Sequence, residues 1–166
     1  WGGGIIEYKK DSKTFRDYTD PDGEMELDLF PDDGVVHDIT TAVSHANGVL
    51  WVATYFGMSR YDGKLWKGYF DHDSGLASNF INFVRASGDV VYLCTDEGLS
   101  SFNSKEWITY KKDWQGGKRL YWNEGKEAAK SDPSGIAHNY TIGMDLQDDY
   151  IWVATSYGLS RGTRIK

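Results

Sequence analysis

Three polar pairs, His37-Asp38, Ser78-Asn79 and His138-Asn139, come nearest to a chemical site, because they recur at fixed distances from three related apolar segments. Each Asp or Asn lies thirteen residues ahead of Trp51, Tyr92 or Trp152, and four residues further back stands Gly34, Gly75 or Gly135. Such polar groups can bind ligand hydroxyls, and two histidines with Asp38 have the donor chemistry of a shared divalent metal. The same side chains also close turns by bonding to nearby backbone amides, so a structural role competes with both. Directly after the apolar segments come Tyr55-Phe56, Asp96-Glu97 and Ser156-Tyr157, whose aromatic members suit stacking on a ligand.

Two longer stretches carry most of the remaining chemistry. Asp20 to Asp38 holds eight carboxylates and no Lys or Arg, a charge of -8 that leaves the rest of a -7 chain at +1. Oxygen donors in Asp20-Pro21-Asp22-Gly23-Glu24 are of the kind that bind calcium, but the EF-hand spacing is not met, which favours a solvated acidic loop. The stretch Lys111 to Lys130 has a net +3 and contains Trp114, Tyr121 and Trp122. Read as a loop, it offers either a sugar-stacking surface or an anchor for a protein partner, while capping of a sheet edge is the bland alternative. If it serves a protein partner, it is expected to order only against that chain.

Several function classes fall away. An acidic balance argues against nucleic acid, which needs a cationic footprint. No apolar run approaches the roughly 18 residues of a membrane helix. The single cysteine excludes a disulfide framework, and Cys94, at the place of Ala53 and Ala154, reads as a small buried thiol rather than a nucleophile. Asn139-Tyr140-Thr141 fits a glycan acceptor pattern at a poor site for a glycan. Nucleophile-elbow, phosphate-loop, dinucleotide and zinc-protease motifs are absent, so neither catalysis nor a cofactor is expected. The chain opens on Trp1 with no leader, which suggests a processed product or an excerpt.

The elements that position these residues follow from internal repetition. Leu50-Trp51-Val52-Ala53-Thr54 recurs as Val91-Tyr92-Leu93-Cys94-Thr95 and as Ile151-Trp152-Val153-Ala154-Thr155, at intervals of 41 and 60 residues. One unit reads as four strands, near 79–86, 90–95, 98–103 and 106–111, with turns at Ser87-Gly88, Gly98 and Asn103-Ser104. Because the second strand is apolar at successive residues, both of its faces must be covered. Four-stranded antiparallel units near a 40-residue period, each covered by its neighbours, describe an all-β fold, the β-propeller. The expected layout is a half blade at 1–19, blades at 34–70 and 75–111, a long interblade loop at 112–134 and a partial blade at 135–166. About three blade-equivalents are too few to close a ring, so further blades or a second copy are expected to complete it.

Gly75-Leu76-Ala77-Ser78-Asn79, Gly48-Val49-Leu50-Trp51-Val52-Ala53-Thr54, Gly57-Met58-Ser59-Arg60-Tyr61-Asp62-Gly63 and Trp66-Lys67-Gly68-Tyr69 together resemble the two-component regulator propeller repeat. The resemblance implies a sensor or binding propeller in the periplasm or outside the cell, with a small glycan or metabolite, or a protein, as its partner. Ligand contacts would then come from His37, Asp38, Ser78, Asn79, His138, Asn139, Tyr55, Tyr157, Trp114, Tyr121 and Trp122 around the channel mouth. The runner-up is an interaction subunit of a larger extracellular assembly. A metal-assisted lyase similar to streptogramin lyases, using His37 and His138, is the enzymatic alternative.

Overall fold

The computed structural model describes residues 2–21, 34–113, 116–123, 126–131 and 135–163. Among the described residues fifteen strands form four antiparallel sheets that follow one another along the chain. A leading hairpin pairs β1 (Ile5–Lys9) with β2 (Thr14–Tyr18). The first blade contains β3 (Thr40–Ala46), β4 (Val49–Thr54), β5 (Gly57–Tyr61) and β6 (Trp66–Tyr69) in that order. The second blade runs through β7 (Ile81–Ser87), β8 (Val90–Thr95), β9 (Gly98–Phe102) and β10 (Trp107–Asp113). The trailing blade has β13 (Thr141–Gln147), β14 (Tyr150–Thr155) and β15 (Gly158–Thr163).

The segment expected as a long interblade loop is instead a hairpin added to the outside of the second blade. β11 (Gly116–Asn123) pairs with β10, placing Trp107 opposite Trp122, and β12 (Lys126–Ser131) pairs with β11, making that sheet six-stranded. Outermost strands keep a free row of N–H and C=O groups, and an adjacent chain segment satisfies them by lengthening the sheet. Glycine and charged residues interrupting the apolar ones hid this strand pair in the sequence, although Leu120-Tyr121-Trp122 is a strand-forming run.

Among the described residues three cores hold the sheets together, the first joining Ile5 and Tyr18 of the leading hairpin to Val52 and Trp66 of the first blade. Trp51, Ala53 and Met58 of the first blade pack on Ile81, Val84, Val91, Leu93, Phe102 and Trp107 of the second. Tyr92, Cys94 and Leu99 of the second then pack on Met144 and Val153 of the trailing blade. The second strand is buried on both faces in the first two blades, as its unbroken apolar run requires. Aromatic pairs stack where the third and fourth strands meet: Tyr61 on Trp66 at 4.7 Å and Phe102 on Trp107 at 4.4 Å. Tyr69 of the first blade closes over the second pair, at 5.2 Å from Phe102 and 5.8 Å from Trp107.

Both ends of this arc are open among the described residues. Met58 and Leu99 are 0% and 3% exposed, whereas Leu159 at the same place in the trailing blade is 63% exposed. Gly57 and Gly98, at φ 117° and 142°, lie against the carbonyl oxygens of Tyr69 and Tyr110, and Gly158 at φ 117° faces open space. At the other end Ile6 and Phe15 of the leading hairpin are exposed, although Trp66 and Trp107 at the place of Phe15 are buried.

Candidate functional site

The second-to-third-strand turns and the segments leading into the inner strands gather on one face. Each turn is fixed by a threonine. Thr54 Oγ1 donates to the Gly57 carbonyl at 2.8 Å and accepts the Phe56 amide at 3.0 Å. Thr95 makes the same pair of bonds to Gly98 and Glu97, and Thr155 to Gly158 and Tyr157. With the turn backbone held, the two residues between Thr and Gly project outward. Backbone bonds from Tyr55 to Ile39, Asp96 to Phe80 and Ser156 to Tyr140, at 3.0–3.2 Å, then set the inner-strand approach beside each turn.

An aromatic strip results. His37 stacks near Phe56 at 4.3 Å, Phe56 lies 5.7 Å from Phe80, and Tyr55 lies 6.2 Å from Phe80, which carries the strip from the first blade onto the second. Phe80 is 47% exposed, Tyr140 43% and Tyr157 80%, so large rings face solvent at this end of the second and trailing blades. Within the strip stand Asp96 and Glu97. Glu97 pairs with Lys111 Nζ at 3.1 Å, while Asp96 Oδ1 is buried and meets no hydrogen-bond donor among the described residues. A buried carboxylate oxygen is costly unless a donor such as an ordered water reaches it.

The three polar pairs divide by position. His37 Nδ1 accepts the Ile39 amide at 3.0 Å, Ser78 Oγ the Phe80 amide at 3.1 Å, and His138 Nδ1 the Tyr140 amide at 3.0 Å. An Nδ1 that accepts leaves Nε2 as the ring's donor. His138 Nδ1 also lies 2.9 Å from Ser156 Oγ. The second members are blade clips. Asp38 Oδ1 accepts the Asp20 amide at 2.9 Å. Asn79 accepts the Asp71 amide and donates to the Asp71 carboxylate, both at 2.9 Å. Asn139 accepts from the Lys112 amide at 2.6 Å and donates to the Lys112 carbonyl at 3.0 Å. The clipped residue stands two positions after Tyr18, Tyr69 or Tyr110 each time, so these side chains tie the end of β2, β6 or β10 to the start of the next inner strand.

Tyr55 and Tyr157 thus lie on the exposed face with the two histidines. Tyr121 and Trp122 belong to β11 on the outer edge of the second blade, paired with Ile108 and Trp107 rather than placed in a loop. Trp114 and the acidic residues from Asp22 to Asp33 lie outside the described residues. Among the described residues no group of three or more His, Cys, Asp or Glu is arranged to hold a metal ion. Phe80 and Tyr140 were missed by sequence reasoning; the available signal was that both directly follow the clip asparagine. Cys94 is fully buried, and burial pushes its thiol up to about 12, with the Thr141 hydroxyl opposing the shift.

These sheets define a class: successive β-propeller blades, with inner strands β3, β7 and β13 side by side and one loop-rich face. No family model and no curated protein matches the chain. Solved structures similar to it include the extracellular domain of a putative one component system from B. thetaiotaomicron, at 12% identity and a TM-score of 0.44, covering 96% of this chain and 30% of that one. The extracellular domain of a putative hybrid two component system from the same organism gives 12% identity and 0.43, covering 95% and 30%. YCF48 bound to D1 peptide gives 13% and 0.41, covering 93% and 55%. The chain therefore spans under a third of the length of the first two.

Proposed function

We propose that this chain is a non-catalytic recognition arc that binds a small glycan or metabolite on its loop-rich face, outside the cytoplasm, as the sensing part of a receptor. One observation carries the reading: exposed Phe80, Tyr140 and Tyr157 share a face with Tyr55 and Phe56 and with the half-buried Asp96 of the middle turn. Apolar sugar faces stack on such rings, and a carboxylate beside them accepts hydrogen bonds from sugar hydroxyls. Nε2 of His37 and of His138 adds a donor at either side. The extracytoplasmic placement and the sensing role are supported by the resemblance of the repeat residues to the two-component regulator propeller repeat.

The interaction-subunit reading depended on a basic loop ordered only by another chain. That segment is paired into the second blade by its own backbone, which favours the loop-rich face over it as the binding surface. Titration of the chain with a panel of neutral mono- and oligosaccharides, followed by calorimetry and ligand-observed NMR, tests the proposal. Tyr157→Ala and Phe80→Ala are expected to weaken binding by about tenfold or more while leaving the circular dichroism unchanged. No binding across the panel, or binding indifferent to both substitutions, would overturn it.

A further inference from the structure

Of the three second-to-third-strand turns, only the middle one puts a carboxylate directly after its threonine: Asp96, where the first blade has Tyr55 and the trailing blade Ser156. The Asp96 amide donates to the Phe80 carbonyl at 3.2 Å, which fixes the residue beside one exposed ring. The repeat supplies a second ring. Tyr55 lies 6.2 Å from Phe80, the residue leading into β7 of the following blade, and Tyr140 leads into β13 in the same way. The same blade-to-blade relation carries Asp96 toward Tyr140, so its carboxylate stands between two rings that face solvent.

Charges around Asp96 favour a cation. Asp38, Asp71 and Glu97 stand at the same end of the blades, against Lys111 and Lys112. Both lysines are engaged: Lys111 Nζ pairs with Glu97 at 3.1 Å, and Lys112 Nζ donates to the Ala137 carbonyl at 3.0 Å. Asp96 makes no ion pair among the described residues. A carboxylate flanked by aromatic rings recognises an ammonium group in two ways, by charge-assisted hydrogen bonds and through the negative ring faces. A hydroxyl at the same place gains less from both.

We propose that Asp96 makes this face select an amino sugar, a glycan carrying a protonated amine, over its neutral counterpart. The ammonium group sits against the Asp96 carboxylate while the sugar ring lies on Phe80 or Tyr140. This inference rests on the reading of the face as a glycan site and names the sugar chemistry that the site prefers.

Three β-1,4-linked disaccharides, of glucosamine, N-acetylglucosamine and glucose, test the proposal by calorimetry on the full chain at about pH 6, where such an amine is protonated. They place an ammonium, a neutral amide and a hydroxyl on the same carbon. The glucosamine disaccharide is expected to bind about tenfold tighter than the glucose one, the worth of a charge-assisted hydrogen bond at a half-buried carboxylate. The N-acetylated disaccharide, which keeps the bulk without the charge, should follow the glucose one. Asp96→Asn keeps the shape and removes the charge, and should bring the tenfold ratio to within about twofold. Raising the salt from about 0.05 M to about 0.5 M should shrink the ratio in the parent chain, a readout that needs no variant. Equal binding of the charged and neutral sugars, a preference that survives Asp96→Asn, or one indifferent to salt would each overturn the selection by Asp96 while leaving the glycan reading in place. No binding of any of the three would overturn both.

Discussion

One serine, repeated in three blades, offers a graded test of how the arc is held together. Ser59, Ser100 and Ser160 each accept an amide from the approaching interblade segment: Val36 at 2.8 Å, Ala77 at 2.9 Å and Ala137 at 2.8 Å. Their surroundings differ. Ser100 is fully buried and also bonds to Thr109 Oγ1, whose one proton goes to the Gly75 carbonyl, so Ser100 must be the donor in that pair. Ser100→Ala therefore deletes two hydrogen bonds and leaves the Ala77 amide without an acceptor, a cost of about 3 kcal/mol. Ser59→Ala removes one bond from a fully buried place, about 1.5 kcal/mol. Ser160 is partly exposed, water can replace its hydroxyl, and Ser160→Ala should cost about 1 kcal/mol or less. Urea denaturation reads the difference: with a slope of about 2 kcal/mol/M, the midpoint drops about 1.5 M for Ser100→Ala and about 0.5 M or less for Ser160→Ala. An equal or larger loss at Ser160 would refute the reasoning, because it would mean that the trailing blade is as well sealed as the second.

Other expectations follow from individual residues. Leu93→Ala, at a fully buried site between blades, should cost about 2–5 kcal/mol, measured by the same denaturation. Cys94, with its thiol raised to about 12 by burial, should resist a thiol reagent at pH 8 in the native chain and react at once in denaturant; native labelling at the unfolded rate would contradict the placement. The Asp62 carboxyl lies below the usual carboxylate range because the Leu65 and Lys64 amides and Arg60 bond to it. A depressed folded value contributes stability above the unfolded value, lost as pH falls through the folded one. The stability gap between the parent and Asp62→Ala should thus be flat above about pH 5 and close below about pH 4, and a gap that widens in acid would exclude this role.

Repetition made the fold legible. The residues that recur are those that every blade needs: the threonine of each second-strand end, the serine two residues after each following glycine, and the clip Asp38, Asn79 or Asn139. Recurrence therefore marked structure more strongly than chemistry. Asp38, Asn79 and Asn139 read from the sequence as candidate ligand contacts, and the structure shows their side chains bonded at the ends of β2, β6 and β10. The residues that now define the candidate face vary from blade to blade: Phe56, Glu97 and Tyr157 at one place, Ile39, Phe80 and Tyr140 at another. Repeat alignment averages over such positions, which is why Phe80 and Tyr140 escaped it.

By itself the sequence determined the order of the strands that recur in each blade, the two-sided burial of the second strand, and the fate of Cys94, because each depends on local pattern and short spacing. Tertiary structure alone decided three things. It paired β11 with β12 on the outside of β10, because the free edge of β10 supplies partners that no local pattern reveals. It brought Phe56 beside Phe80 across a blade boundary, a contact between residues 24 positions apart set by how two sheets pack. And it showed that identical repeat positions meet different fates, buried where a neighbouring blade covers them and exposed at Leu159 and Phe15 where none does, since burial belongs to the assembly and not to the residue.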